Sequence, residues 1–78
     1  MNTELQILQS IADYLGLSIE DIDRHALLRD ELNLGPIELN DLLTHLSTKF
    51  DVTFDETEIE DIKKIDDLIV LVEDNLLE

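Results

Sequence analysis

The sequence lacks cysteine and tryptophan, and it has one proline, two glycines, one tyrosine and two phenylalanines. Without cysteine it has no disulfide framework, thiol nucleophile or thiolate metal site. No segment approaches the roughly 20 apolar residues of a membrane-spanning helix. The first residues, MNTELQILQS, lack the basic region and apolar run of a secretory signal. These absences lead us to expect a soluble, cytoplasmic protein with no membrane partner.

Basic residues are also scarce. Five lysines and arginines face 20 aspartates and glutamates, which gives a formal net charge of -15. Such a polyanion has no counterion release to gain from phosphates, so nucleic acid is not an expected partner. The same field favours a protein partner with a basic surface. For any single carboxylate, solubility alone is the alternative explanation.

Residues that could carry catalysis are few and scattered. The chain of 78 residues is expected to form a single domain, 1–78, and a domain of this size has little core left over to shape a deep catalytic cleft. His25 and His45 have no second histidine at metal-binding spacing, and the run FDETEIED lacks the glycine of a calcium loop. We therefore predict no catalytic residue, no metal site and no enzyme activity.

The sequence does contain regular apolar spacing, beginning with the segment from Thr3 to Leu15. Its apolar residues recur every three or four positions, as on one face of a helix, and Ile7 widens that face. The residues of this face are Leu5, Leu8, Ile11, Ala12 and Leu15. Gly16 is placed to end the helix. From 17 to 34 the apolar spacing is irregular, with Ser18 as a possible cap, which predicts a long loop pinned to the core.

Three further helices are predicted. Proline is favoured at the first position of a helix, so the second should begin at Pro36. A short third helix should begin at Asp55 or Thr57, and the last should run from about Asp66 to Leu76. The expected core residues of these helices are Leu39, Leu42, Leu43, Leu46 and Phe50, then Ile59 and Ile62, and finally Leu68, Ile69, Val72 and Leu76, with Val70 and Leu71 widening the last stripe. The predicted fold is an all-α bundle of three longer helices and one short one.

The remaining surface of the second helix is the candidate binding site. An apolar residue stands at its start, and the acidic edge of the third helix should lie beside it. Such a surface suits docking to a basic groove. The alternative is a solvated face with Ile37 packed into the loop. The candidate docking residues are Ile37, Glu38, Asp41, Thr44, Thr48, Glu56 and Glu60, with His45 on the same side of the helix.

The whole chain resembles an acyl carrier protein through YLGLSIEDID, LLRDELNLGPIELNDLLTHLSTKFDVTF and KKIDDLIVLVED. This resemblance implies a four-helix bundle of acyl carrier protein type with a short third helix. It also implies partner docking at the positions named above on the second helix.

The family signature, Asp-Ser-Leu, aligns with Gly35, Pro36 and Ile37. The signature serine bears 4'-phosphopantetheine, and proline has no hydroxyl to attach it. A shift of two positions brings only Glu38 under the serine. We therefore expect no cofactor.

Three functions remain open on the sequence. The first is an unmodified carrier-like module that docks protein partners as an adaptor, regulator or decoy, possible partners including a carrier-recognising enzyme. The second is a functioning carrier of acyl or aminoacyl groups in fatty-acid or polyketide-type biosynthesis. The third is an acidic inhibitor or immunity-type protein that masks a basic active site.

Overall fold

The computed structural model describes residues 3–76, which fold into four α-helices. They are α1 (Thr3–Leu15), α2 (Pro36–Phe50), α3 (Glu56–Glu60) and α4 (Ile65–Leu76), and a 3-10 turn spans Ile19–Asp21. Helix α1 packs against α2 and α4, and α2 also packs against α4. Within residues 3–76 no strand forms, and extended pairing is confined to one isolated bridge between Leu27 and Lys64. The prediction of three longer helices and one short one is confirmed.

Helix α2 begins and ends at residues suited to those positions. Gly35 is its N-cap in an extended conformation, and Pro36 occupies the first turn, where the missing N–H costs no hydrogen bond. At the other end Asp51 takes the left-handed conformation (φ 54°) and its N–H donates to the carbonyl of Ser47. These residues therefore determine where α2 begins and ends.

Helix α3 has only five residues, too few to be stable alone. A reciprocal capping box starts it, because the Asp55 side chain caps the Glu58 backbone and the Glu58 side chain accepts from the Asp55 N–H. Ile59 on α3 and Ile62, two residues past its end, are both half-buried against the core. The two predicted apolar contacts are thus present, although the helix ends at Glu60, before Ile62.

The core lies where α1, α2 and α4 meet, and its α1 face differs from the predicted one. Ile7 and Ile11 are fully buried, whereas Leu5 is 51% exposed. The prediction that Leu5 belongs to the core face is wrong. Two residues correspond to about 200° around a helix, so burying Ile7 turns Leu5 outward. Ile7 was expected only to widen the apolar face of α1, but it is one of the fully buried residues of that face.

The core face of α4 also differs at its end. The helix begins one residue earlier than predicted, at Ile65, which is buried. Leu68, Ile69 and Val72 are fully buried, but Leu76 is 38% exposed. The prediction for Leu76 is wrong because it lies four residues past Val72, at the helix end, outside the core cluster.

The long loop between α1 and α2 is pinned to the segment before α4, as predicted for a loop anchored to the core. The N–H of Leu28 donates to the carbonyl of Lys63 (2.9 Å), and the N–H of Ile65 donates to the carbonyl of Ala26 (3.2 Å). Ser18 occupies the N-cap position of the 3-10 turn, but its side chain makes no capping hydrogen bond. Backbone hydrogen bonds, and not the Ser18 side chain, therefore contribute to holding this loop.

Arg24 joins the loop to two helices. Its guanidinium donates to the Glu4 carboxylate on α1 and to Oδ1 of Asp66 on α4, the latter at 2.6 Å. The hydrogen bonds to Asp66 and then to Glu4 raise the pKa of Arg24 above its usual value. The backbone N–H of Asp66 also donates to the Arg24 carbonyl. One of the chain's few cations thus connects three segments of the fold.

The excess of carboxylates predicts a stability that rises with salt. Between 0.1 and 1 M NaCl the screening length falls from about 10 Å to about 3 Å, which weakens repulsion among the acidic side chains. We expect the thermal midpoint to rise, by about 4–8 °C for each 1 kcal/mol gained. Calorimetry in NaCl and in KCl measures this, and equal effects of the two salts identify screening rather than sodium binding. A flat or falling midpoint would contradict the prediction.

Candidate functional site

The start of α2 presents backbone and a proline ring rather than a reactive side chain. Pro36 is exposed at the first helical position. Gly35 before it has φ -75° and ψ -179°, a conformation open to any residue. A Cβ on Gly35 would lie 3.0 Å from Oε2 of Glu38, the mobile end of a side chain. No nucleophilic group is therefore present at these two positions.

The five candidate docking residues of α2 are all exposed. Together they are called the α2 face: Ile37, Glu38, Asp41, Thr44 and Thr48. Ile37, Asp41, Thr44 and Thr48 recur at i, i+4, i+7 and i+11, so they share one side of the helix. The opposite side is buried in the core through Leu42, Leu43 and Leu46. The core contacts of α2 therefore orient the α2 face toward solvent.

Ile37 is the outlier of this face. It is 76% exposed, the most exposed of the large hydrophobic side chains in the described chain. The alternative in which Ile37 packs into the loop is therefore wrong. An exposed apolar side chain next to Glu38 in the chain and one helical turn before Asp41 combines apolar area that a partner can desolvate with nearby negative charge.

The second half of the α2 face is less acidic than the first. The Thr44 hydroxyl donates to the carbonyl of Asn40 (3.0 Å), so its proton already has an acceptor within the helix. His45 is exposed and its ring lies 5.6 Å from that of Tyr14, tilted by 42°. The carboxylates thus cluster in the first two turns, beside Ile37.

A cleft of about 960 Å³ opens between the first half of α2, the long loop and α3. Gly35 and Pro36 line it on the α2 side, and Glu60 lines it on the α3 side. Glu56 is exposed on α3 but does not line the cleft. Of the two candidate residues on α3, Glu60 therefore lines the cleft and Glu56 lies outside it.

The cleft is the feature that sequence reasoning missed. It is lined by residues from four separate segments, among them Arg29 and Lys63, two of the chain's five lysines and arginines. Their spacing along the chain carries no motif, and only the fold brings them together. The one sequence signal that could have pointed to the cleft is the scarcity of lysine and arginine in so acidic a chain.

Other kinds of site find no support in residues 3–76. No group of three or more histidine, aspartate or glutamate side chains is placed to hold a metal ion. No helix in this range is long and apolar enough to cross a bilayer.

Comparison with known proteins identifies relatives that all belong to one family. A family model described as "Phosphopantetheine attachment site" matches residues 6–72. An acyl carrier protein of Chlamydia muridarum is 27% identical over 74 residues, covering 95% of this chain and 96% of the relative. One of Nitratidesulfovibrio vulgaris is 26% identical over 72 residues, covering 92% and 95%. A crystal structure of acyl carrier protein from Thermotoga maritima shares the fold, with a TM-score of 0.74 and 24% identity over 92% of this chain and 84% of that one.

The residues at the start of α2 do not fit a phosphopantetheine arm. Attachment requires a hydroxyl, and Pro36 has none. None of the residues that line the adjoining cleft is a serine, threonine or tyrosine either. The residues that line the cleft therefore offer no hydroxyl beside Pro36.

Proposed function

The chain belongs to the phosphopantetheine attachment site family, and from this membership we propose that it is a carrier-like binding module without a phosphopantetheine arm. Acyl carrier proteins are carriers rather than enzymes, so a member that is not loaded retains docking as its activity. The observation that carries the proposal is Pro36 at the first position of α2, beside an exposed acidic helix face. Docking would make the chain an adaptor, a regulator or a decoy.

The α2 face supports docking through two complementary contributions. Glu38 and Asp41 steer association toward basic groups, which mainly raises the association rate. Ile37 offers apolar area that a partner can desolvate, and such central anchors supply much of the affinity of an interface. The expected partner is a protein with a basic surface around an apolar socket, such as a carrier-recognising enzyme.

Loading is tested by the intact mass of the purified protein before and after incubation with coenzyme A and a broad-specificity phosphopantetheinyl transferase. We expect no gain, while an authentic carrier in the same tube is labelled to completion. A gain of one phosphopantetheine would overturn the proposal. It would instead favour the alternative of a functioning acyl or aminoacyl carrier, which family membership supports.

Docking is tested by reversing the charge of the acidic end of the α2 face. The double substitution Glu38→Lys with Asp41→Lys should weaken binding to a carrier-recognising synthase at least about tenfold, or 1.4 kcal/mol. Opposite charges replace attraction with repulsion at the basic surface. Surface plasmon resonance at two salt concentrations measures the effect, which should shrink as salt rises.

A matched control separates the site from the overall charge. Glu20→Lys with Asp74→Lys makes the same change in net charge at two exposed carboxylates outside α2. We expect this control to lose less than half as much log affinity as the variant with Glu38→Lys and Asp41→Lys. Equal losses for the two variants, with unchanged helical circular dichroism, would assign binding to the general field and remove the α2 face from the proposal.

A further inference from the structure

Three backbone hydrogen bonds join the long loop to the segment that leads into α4. They run from the N–H of Leu28 to the carbonyl of Lys63 (2.9 Å), from the N–H of Ile65 to the carbonyl of Ala26 (3.2 Å) and from the N–H of Asp66 to the carbonyl of Arg24 (2.9 Å). We call these three bonds the loop ladder. The side chains of Ala26, Leu28 and Ile65 are buried in the core. Opening the ladder therefore exposes apolar side chains to water.

The Arg24 side chain holds one end of the loop ladder. Its guanidinium donates to the Glu4 carboxylate and, at 2.6 Å, to Oδ1 of Asp66. Glu4 lies in the first turn of α1 and Asp66 in the first turn of α4. One side chain thus ties the end of the ladder to two helices.

Salt can reach these three side chains. Arg24, Glu4 and Asp66 are 37%, 42% and 38% exposed, so added ions screen the attraction between them. Over the whole chain, in contrast, 20 aspartates and glutamates face five lysines and arginines, and screening mainly relieves repulsion. Salt should therefore weaken the contacts of Arg24 while it stabilises the helical bundle.

We propose that Arg24, Glu4 and Asp66 form a salt-sensitive latch on the loop ladder. As salt rises, Arg24 is released and the ladder opens, while the helices stay folded apart from the first turn of α4. Such a local opening costs less free energy than global unfolding, because most of the core contacts are kept. The latch thus regulates access to the part of the core that Ala26 and Leu28 cover. None of its residues belongs to the α2 face, so it does not depend on the docking function.

Hydrogen exchange of single amides, followed by NMR on the full chain, separates the ladder from the bundle. The amides of Ile65 and Asp66 report on the ladder, and the amide of Leu46, inside α2, reports on the bundle. Spectra at about 0.02 M and about 0.5 M NaCl span a large change in screening length. Between them we expect the exchange rates of Ile65 and Asp66 to rise about threefold relative to that of Leu46, a change on the scale of exposed ion pairs.

A charge-matched pair of variants locates the latch. Arg24→Gln removes it, whereas Arg29→Gln makes the same change in net charge at an exposed arginine that forms no ion pair within residues 3–76. At low salt the ladder amides should exchange at least about threefold faster in Arg24→Gln than in the wild type, and their extra response to salt should disappear. Arg29→Gln should keep the wild-type behaviour in both respects.

Three results would overturn the latch. They are equal salt responses of the ladder amides and Leu46 in the wild type, equal effects of the two arginine variants, and exchange of all three amides at one common rate, as in global unfolding. Glu4→Gln provides a milder variant, because it leaves the bond from Arg24 to Asp66 in place. It should give an intermediate exchange rate, and it decides the outcome if Arg24→Gln loses helical circular dichroism.

Discussion

The double substitution Gly35→Asp with Pro36→Ser is expected to convert a chain that a phosphopantetheinyl transferase leaves unmodified into one that gains a single arm. It restores an aspartate and a serine in front of Ile37, which is already apolar and exposed. The change is close to all-or-none, because a proline ring offers no oxygen for the new bond and a serine does. It is the largest functional effect that two substitutions in this chain should produce.

The local structure of α2 accommodates both new side chains. Gly35 has an ordinary extended backbone, so no left-handed strain arises, and only the flexible end of Glu38 must move away from a new Cβ. Aspartate is a better N-cap than glycine, since its carboxylate can accept from backbone N–H groups of the first turn. The first helical bond, from the Leu39 N–H to the Gly35 carbonyl, does not depend on either side chain.

Intact mass spectrometry after incubation with coenzyme A and the transferase measures the gain. The control is Gly35→Asp with Pro36→Ala, which also removes the proline but adds no hydroxyl and should stay unmodified. Failure of the serine variant to be labelled, while it keeps wild-type helical content and an authentic carrier is labelled, would contradict the prediction. It would show that Pro36 does not occupy the attachment position or that the transferase does not recognise this surface.

The helices were predictable because their evidence is local. Apolar spacing, Pro36 and Gly16 each depend on residues within one or two turns, and the structure begins α2 at the predicted residue, Pro36. The errors at Leu5 and Leu76 have a different origin. Spacing shows that a stripe exists, but which flank of the stripe is buried, as at Leu5, and how far along the helix burial extends, as at Leu76, depend on the helices that pack against it.

The features of the candidate site likewise fall into those that the local sequence predicts and those that it does not. The exposure of Ile37 and Asp41 follows from the periodicity of α2, because a residue opposite a buried stripe faces solvent. The cleft and the connections made by Arg24 depend on contacts between residues far apart in the chain, such as Arg24 with Asp66. No local pattern encodes those contacts, so sequence reasoning alone could not find them.

The largest expected effect on stability is that of Leu46→Ala. Leu46 is fully buried in the middle of the α2 stripe, where α2 meets the other two long helices. Removing its branched end leaves a cavity that close-packed neighbours fill only in part, and such changes cost about 2–5 kcal/mol. A small domain has a free energy of unfolding of about 5–15 kcal/mol, so the variant should lose a large fraction of its stability.

Urea titration followed by circular dichroism measures this loss, with Val70→Ala as the control. Val70 is 46% exposed on α4 and its truncation should change the free energy of unfolding by no more than about 0.5 kcal/mol. A loss below about 1 kcal/mol for Leu46→Ala would mean that α2 is not held by the core as described. Because α2 carries the docking residues on its other side, Leu46→Ala should reduce partner binding only in proportion to the fraction unfolded. The charge-reversal variant, in contrast, should lose binding while fully folded, and this difference separates the structural role of α2 from its role in recognition.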